Sequence, residues 1–290
     1  QFALLLKACQ KDAAFADAHC LPNVLTMPKP WNKETQGPIQ DMLHIYFQGE
    51  ATNEQKEEIA ACFDLMQNAD SLGSIMKFNI NEGTRLLIKQ TTDYWCSQEI
   101  VPEEVRTQID TFKLILALTE KYHALVMNPP YMGRSGMNDL ITQYVRDNYA
   151  LGKWDLFATF MLVAINRLEI NAKMSMINMH SWMFLDAFEA LRMYLVKNFQ
   201  IDNMLHLGPN TFDELSGEVV QNTTFVISKN RPNHAGDYYK LSTGNNCAAK
   251  EQLFLNDYGH YRNVNQLRFD TIPSCPIAYW LSINWLKLFG

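Results

Sequence analysis

Short apolar runs alternate with stretches of helical periodicity over the second two-thirds of the chain. The apolar runs predict strands at residues 124–127, 174–178, 201–206 and 223–228, and the periodic stretches predict helices at 137–149, 154–168 and 184–195. A further helix is predicted to begin at Pro102, because Glu103 and Glu104 suit the positive N-terminal end of a helix. This alternation is typical of an α/β sheet with helices on its faces.

The N-terminal part of the chain has a different pattern. Residues 1–10 indicate the end of an amphipathic helix, residues 21–50 are punctuated by proline and glycine, and residues 54–67 predict a helix. We therefore expect three regions: a helical and loop-rich part at 1–120, an α/β core at 121–245 that carries the chemistry, and a C-terminal extension at 246–290.

The composition narrows the class of protein. Hydrophobic residues make up 47% of 290 residues, which is enough for a substantial core, and no uninterrupted apolar stretch is long enough to predict a membrane span. A formal net charge of −6 argues against this chain alone being a strong DNA clamp. The six cysteines are scattered without a C-x-x-C pair, which predicts no metal site and is typical of reduced thiols in a cytoplasmic protein.

Asn128-Pro129-Pro130-Tyr131 is the segment of the chain that indicates a chemistry. It follows the apolar run at 124–127, which predicts a short buried strand, and we expect this strand to be a central, parallel one. Two prolines cannot continue a strand, so the chain must leave the sheet at Asn128. A polar amide is thereby held at the carboxyl end of a strand, where open α/β sheets place their ligand sites. Enzymes that methylate exocyclic amino groups of DNA bases use this arrangement.

The residue types of the motif suit that reaction. Adenine N6 is a poor nucleophile, and two acceptors aimed at its N–H groups would draw it toward tetrahedral geometry. The Asn128 side chain and the Pro129 carbonyl supply two such acceptors, Pro130 shapes the loop, and Tyr131 would stack on a flipped base. The alternative interpretation is a proline-rich turn in which Asn128 caps the next helix.

Several segments resemble the BREX-type adenine-specific DNA methyltransferases of bacterial phage defence, the PglX methylases. More broadly, they resemble the methylase part of fused type II restriction-modification enzymes. The matching segments are KYHALVMNPPYMG at 121–133, KWDLFA at 153–158, LHLG at 205–208, FDELSGEVVQNTTFV at 212–226 and CPIAYW at 275–280. The resemblance runs over most of residues 70–285 and more weakly over the first 25.

The resemblance implies a methyltransferase sheet of the Rossmann-like kind, the cofactor S-adenosyl-L-methionine, and N6-methylation of a flipped adenine in double-stranded DNA. It also implies a defence or restriction-modification system and partner subunits of such a complex. By the same resemblance Asp155 lines the cofactor pocket and Phe225 packs beside the flipped base. The alternatives are an ordinary helix-start residue for Asp155 and a core strand side chain for Phe225.

One part of the family's pattern is missing from the sequence. The family binds its cofactor with a Gly-rich turn and an acidic residue upstream of the catalytic motif, and neither is found before Asn128. We therefore expect a fragment without the N-terminal cofactor loop, which would be inactive alone. The alternative function is a non-catalytic nucleic-acid-binding or assembly module with a degenerate methylase fold. A third interpretation is an RNA or protein amine methyltransferase.

Overall fold

The computed structural model describes residues 24–212, 220–282 and residue 284. The chain forms two compact units, Gln1–Leu118 and Thr119–Gly290. The helix that the sequence predicts at residues 1–10 lies outside the described residues. The predicted three-part division at residues 120 and 245 stays a prediction.

The first unit is helical in its described part. Its helices are α1 (Lys33–Gln36), α2 (Ile39–Tyr46), α3 (Asn53–Met66), α4 (Ala69–Leu72), α5 (Glu82–Ser97) and α6 (Glu103–Thr119), the last of which ends at the boundary. Tyr46 lies at the centre of the core, where its ring packs on Phe112 and its hydroxyl bonds to Thr92 over 2.9 Å. The helices predicted at 54–67 and after Pro102 are confirmed as α3 and α6.

The second unit combines a sheet with helices. In chain order its elements are β1 (Tyr122–Met127), α7 (Asp139–Asn148), α8 (Leu156–Arg167), β2 (Leu168–Met179), α9 (Glu189–Asn198), β3 (Gln200–Gly208), β4 (Asn222–Ser228), β5 (Gly236–Lys240), α10 (Cys247–Leu255) and β6 (His260–Val264). The predicted α/β class is thus confirmed. Within the described ranges no helix has the length and hydropathy that a membrane crossing requires.

The six described strands form one sheet in the order β1-β2-β4-β3-β5-β6. The β1–β2 and β3–β5 pairs are parallel, and the other three pairs are antiparallel. Met127 pairs with Met176, which pairs with Phe225, which pairs with Met204. This row lies on one face of the sheet, and Met176, Phe225 and Met204 in it are buried.

In the described residues the motif strand differs from expectation in its burial and in its place in the sheet. The run at 124–127 is a strand, but it is not buried, since Val126 is 83% exposed. β1 is also not a central strand, because among the described strands it lies at the sheet edge and pairs only with β2.

The described part of the C-terminal region packs into the second unit. Arg192 on α9 is fully buried and donates hydrogen bonds to four carbonyl oxygens: those of Trp182 and Leu185 on one side, and of Ser274 and Cys275 on the other. The Ile277 N–H donates to the Met183 carbonyl over 2.9 Å. Residues 274–277 are therefore fixed against the turn that follows β2.

Candidate active site

The Asn128-Pro129-Pro130-Tyr131 motif begins one residue after β1 ends. Asn128 and Pro130 are exposed, Pro129 is buried and Tyr131 is half-buried. The carboxyl ends of β1 and its parallel neighbour β2 lie side by side. The structure thus places the Asn128 side chain at a sheet end, accessible to a ligand, and not as the cap of a helix, because the next helix, α7, is capped by Asn138.

Tyr131 is anchored through its hydroxyl. The hydroxyl accepts a hydrogen bond from Asn222 Nδ2 over 3.0 Å and lies 3.5 Å from the Ile177 carbonyl oxygen, to which it donates. Its ring meets Phe157 edge-on, with ring centroids 6.5 Å apart. Burial raises the pKa of the Tyr131 hydroxyl, and the Asn222 bond acts in the opposite direction. The phenol is therefore neutral at physiological pH and its ring is held in place.

Asn222, the first residue of β4, is a site residue that the sequence reasoning missed. It is completely buried, and its Nδ2 also lies 3.4 Å from the Asn178 carbonyl oxygen. That carbonyl can only accept, which fixes the orientation of the Asn222 amide. Its Oδ1 has no hydrogen-bond partner among the described residues. The matching segment at 212–226 includes Asn222, but no sequence pattern paired it with Tyr131.

Asp155 joins the motif loop to helix α8. Its Oδ1 accepts hydrogen bonds from the Met132 N–H (3.1 Å) and the Phe157 N–H (3.2 Å), and it is the N-cap of α8. Burial raises the pKa of Asp155, although these N–H groups act to lower it. The observed geometry matches the helix-start interpretation, and the cofactor-binding role of Asp155 stays a prediction.

Phe225 lies in the core of the sheet unit. It is 1% exposed and packs on Trp182, with ring centroids 5.3 Å apart. Met127, the residue before the motif, lies in the same row two strands away, so their backbones are about 10 Å apart. This geometry matches a core side chain, and a role for Phe225 beside a base stays a prediction.

Two histidines form a hydrogen-bonded chain that begins where β2 ends. His180 Nδ1 lies 2.8 Å from His206 Nε2, and His206 Nδ1 lies 3.2 Å from the Tyr279 hydroxyl. Burial lowers the pKa of His206 to about 4 and also lowers the pKa of His180. Both rings are therefore neutral at physiological pH. The described residues include no group of three His, Cys, Asp or Glu side chains arranged to hold a metal ion.

Two curated proteins are similar to part of this chain. One is the adenine-specific methyltransferase BrxX of Escherichia coli O9:H4 (strain HS), 40% identical over 176 residues. The other is the adenine-specific methyltransferase PglX of Lacticaseibacillus casei (strain Zhang), 38% identical over 178 residues. Each match covers 59% of this chain but only 14% and 15%, respectively, of the relative, so the chain spans a small part of these proteins.

Solved structures resemble the chain more distantly. The nuclease-deletion mutant of the Type ISP restriction-modification enzyme LlaGI, in complex with a DNA substrate mimic, is 14% identical and aligns with a TM-score of 0.43. That alignment covers 80% of this chain and 23% of LlaGI. The family model of the Eco57I restriction-modification methylase matches residues 4–212, more than two-thirds of the sequence. The chain therefore belongs to the Eco57I restriction-modification methylase family.

Proposed function

We propose that this chain is the catalytic-motif part of an N6-adenine DNA methyltransferase in a bacterial phage-defence or restriction-modification system. The observation that carries the proposal is the exposed Asn128 at the carboxyl end of β1, followed by Pro129, Pro130 and an anchored Tyr131. Family membership and two relatives named as adenine-specific methyltransferases support it.

The motif acts on the amine of a flipped adenine. Asn128 Oδ1 accepts one N–H of the exocyclic amine and the Pro129 carbonyl accepts the other, so the nitrogen lone pair is freed to attack. The amine itself is the nucleophile, so no covalent enzyme intermediate is needed, and the protein's contribution is positioning. Tyr131 packs on the flipped base, and the Asn222 bond keeps its ring from turning away.

The methyl donor in this proposal is S-adenosyl-L-methionine, which supplies an electrophilic methyl group when bound. The described residues do not complete a site for it. β1 is the first described strand of the sheet unit and lies at the edge of the described sheet, so the described residues offer no preceding strand to hold a ribose or a methionine carboxylate. Asp155 already accepts two backbone N–H groups. The chemistry assigned to this chain is therefore limited to the amine side of the reaction.

A second candidate function is a non-catalytic assembly module with the same fold. The position of β1 favours it, since among the described strands β1 lies at the sheet edge, Val126 on it is 83% exposed, and an edge strand can pair with another strand. An assembly module would bind partners or DNA without transferring a methyl group, which the following assay distinguishes.

The test is transfer of radiolabelled methyl from S-adenosyl-L-methionine to adenine-containing DNA by the intact protein that carries this chain. Asn128→Ala should reduce the rate by on the order of 100-fold or more, because it removes an acceptor that acts on the reacting amine. Asn245→Ala, at an exposed loop position after β5, is the matched control and should retain the rate. Methylation by Asn128→Ala at the wild-type rate would refute the assignment.

A further inference from the structure

An exposed tryptophan lies directly beside the catalytic motif. Trp154 is 38% exposed and precedes the N-cap residue of α8. The indole is the largest apolar side chain, and a tryptophan that remains accessible on a surface is often a contact for a partner. Neither the polarisation of the amine nor the anchoring of Tyr131 uses this side chain.

Two positive charges flank the indole. The Lys153 ammonium lies 5.3 Å from the centre of the Trp154 ring, and the Arg134 guanidinium carbon lies 5.6 Å from it. Both distances are within the range of cation–π contacts. Lys153 and Arg134 are exposed, and among the described residues neither has a carboxylate within 4.0 Å. We call Arg134, Lys153 and Trp154 the cationic indole surface.

This surface is fixed to the motif loop by backbone hydrogen bonds. The Arg134 N–H donates to the Trp154 carbonyl over 3.1 Å, and the Leu156 N–H donates to the Met132 carbonyl over 3.0 Å. Together with the Asp155 bond to Met132, they join residues 132–134 to residues 154–156. The backbone of Trp154 is therefore fixed relative to residues 132–134, which directly follow Tyr131.

Gly152, which directly precedes Lys153, packs closely on helix α8 and so fixes the backbone at the start of the surface. A Cβ at position 152 would lie 2.7 Å from the backbone nitrogen of Thr159, so only glycine allows the turn before Lys153 to pack this tightly on α8. The Thr159 hydroxyl donates to the Gly152 carbonyl over 3.1 Å. The backbone on both sides of the cationic indole surface is thus held by close packing and hydrogen bonds.

We propose that the cationic indole surface binds the DNA strand that carries the target adenine. Trp154 stacks on a base next to the flipped adenine, and Arg134 and Lys153 bind the adjoining phosphates. An aromatic ring with cations beside it suits single-stranded or opened nucleic acid, because bases stack on the ring while the charges neutralise the backbone. That DNA is the partner rests on the proposed function, and the placement of the contact rests on the geometry alone.

The surface makes two separable contributions to binding. Stacking depends little on ionic strength, whereas neutralising a phosphate releases a counterion, so the logarithm of affinity then falls with the logarithm of salt concentration. Trp154→Ala should weaken binding by about 5- to 100-fold with the salt slope unchanged. Arg134→Gln with Lys153→Gln should weaken binding and reduce the slope by about 2.

The experiment is fluorescence anisotropy with the intact protein over a salt series, using a labelled duplex with a mismatch at the target adenine. Trp154→Phe keeps an aromatic face and should restore most of the affinity lost in Trp154→Ala. Tyr258→Ala is the matched control, because Tyr258 is 62% exposed just before β6, at the opposite end of the strand order from β1. It should leave both affinity and slope unchanged.

Three outcomes would overturn the inference. The first is unchanged DNA affinity and salt slope in all the surface variants, and the second is an equal loss of affinity in Tyr258→Ala. The third is wild-type DNA affinity in surface variants that have lost affinity for a polyglutamate peptide, the probe for an acidic protein partner. Methyl transfer at saturating DNA separates these outcomes from failure of the proposed function. Tyr258→Ala should then keep a near wild-type rate, whereas an unmodified protein that transfers no methyl group would refute the proposed function itself.

Discussion

The side-chain amide of Asn222 donates a hydrogen bond to the Tyr131 hydroxyl over 3.0 Å, linking residues 91 positions apart in the sequence. Tyr131 belongs to the motif loop after β1, and Asn222 opens β4, two strands away in the sheet. The aromatic ring of the motif is thus positioned by a strand outside the motif. The orientation of the Tyr131 ring, the proposed base-stacking side chain, therefore depends on the pairing of β2 with β1 and with β4.

This relationship predicts an energetic coupling between the two residues. Tyr131→Phe should lower the free energy of unfolding by about 1 kcal/mol, and Asn222→Ala by about 1–3 kcal/mol, because each leaves a buried partner unpaired. The double variant should lose less than the sum of the two. Urea denaturation of the four proteins measures the difference.

Tyr194→Phe is the matched control for that cycle, since Tyr194 is also half-buried and lies on α9. Combined with Asn222→Ala it should give additive losses. Strict additivity for the Tyr131 pair would show that the hydrogen bond contributes nothing to stability.

Asp155 allows the structural role to be separated from the predicted cofactor role. Asp155→Ala should cost about 1 kcal/mol or more of stability, because α8 loses its N-cap acceptor and Met132 loses its partner. Asp155→Asn retains an acceptor oxygen and should unfold at nearly the wild-type urea concentration. If Asp155 also contacts the cofactor, Asp155→Asn will weaken S-adenosyl-L-methionine binding in the intact protein despite its stability. Equal cofactor affinity in Asp155→Asn would leave only the structural role.

The buried histidines predict a dependence of stability on pH. An unfolded histidine titrates near its ordinary pKa of about 6.5, whereas burial lowers the pKa of His206 to about 4 in the fold. Between these values the unfolded state binds a proton that the folded state excludes. The contribution of His206 to the free energy of unfolding is therefore fully present above about pH 6.5. As the pH falls below that value, this free energy decreases by up to about 1.4 kcal/mol per pH unit.

Urea denaturation at about pH 7.5, 6 and 5 checks this expectation. His206→Gln cannot titrate and should show a shallower loss of stability on acidification than the unmodified chain. His123→Gln, at an exposed position on β1, should keep the original pH dependence. Identical pH curves for His206→Gln and the unmodified chain would contradict the predicted protonation state.

Residues 1–290 alone should bind S-adenosyl-L-methionine weakly or not measurably. The physical reason is that the described part of the sheet has no strand beyond β1 to supply partners for the ribose and the methionine carboxylate. Isothermal titration calorimetry of the chain measures this directly. Tight, saturable binding would mean that the cofactor site lies on residues that the resemblance does not identify.

The sequence predicted four of the six described strands and five of the ten described α-helices, because local periodicity and propensity determine those elements. β5 and β6 lie in residues 229–290, for which no element was predicted. The sequence also did not predict α5, whose buried positions include Thr84 and Thr92, so polar residues interrupt the apolar period. It extended the helix of 184–195 too far toward the N-terminus, because Phe184 and Phe188 keep helical spacing while the backbone forms 3₁₀ turns before α9.

Which strands pair and which side chains meet was harder to predict than where the helices and strands lie. The apolar run of β1 indicated a strand, but its edge position depends on which other strands pair with it. The motif itself was identified from sequence because proline fixes the exit from the strand locally. Asn222 was not identified as its partner, since the hydrogen bond to Tyr131 exists only after β2 and β4 pair.

The four carbonyl oxygens that bind Arg192 determine when during synthesis this unit can fold. Two of them belong to residues 182 and 185, which emerge from the ribosome before Arg192, but the other two belong to Ser274 and Cys275, over 80 residues later. Until these last two arrive, a buried guanidinium would lack half of its acceptors, which is costly in an apolar interior. A ribosome-bound chain that stops before Ser274 would thus hold an incompletely closed core around Arg192.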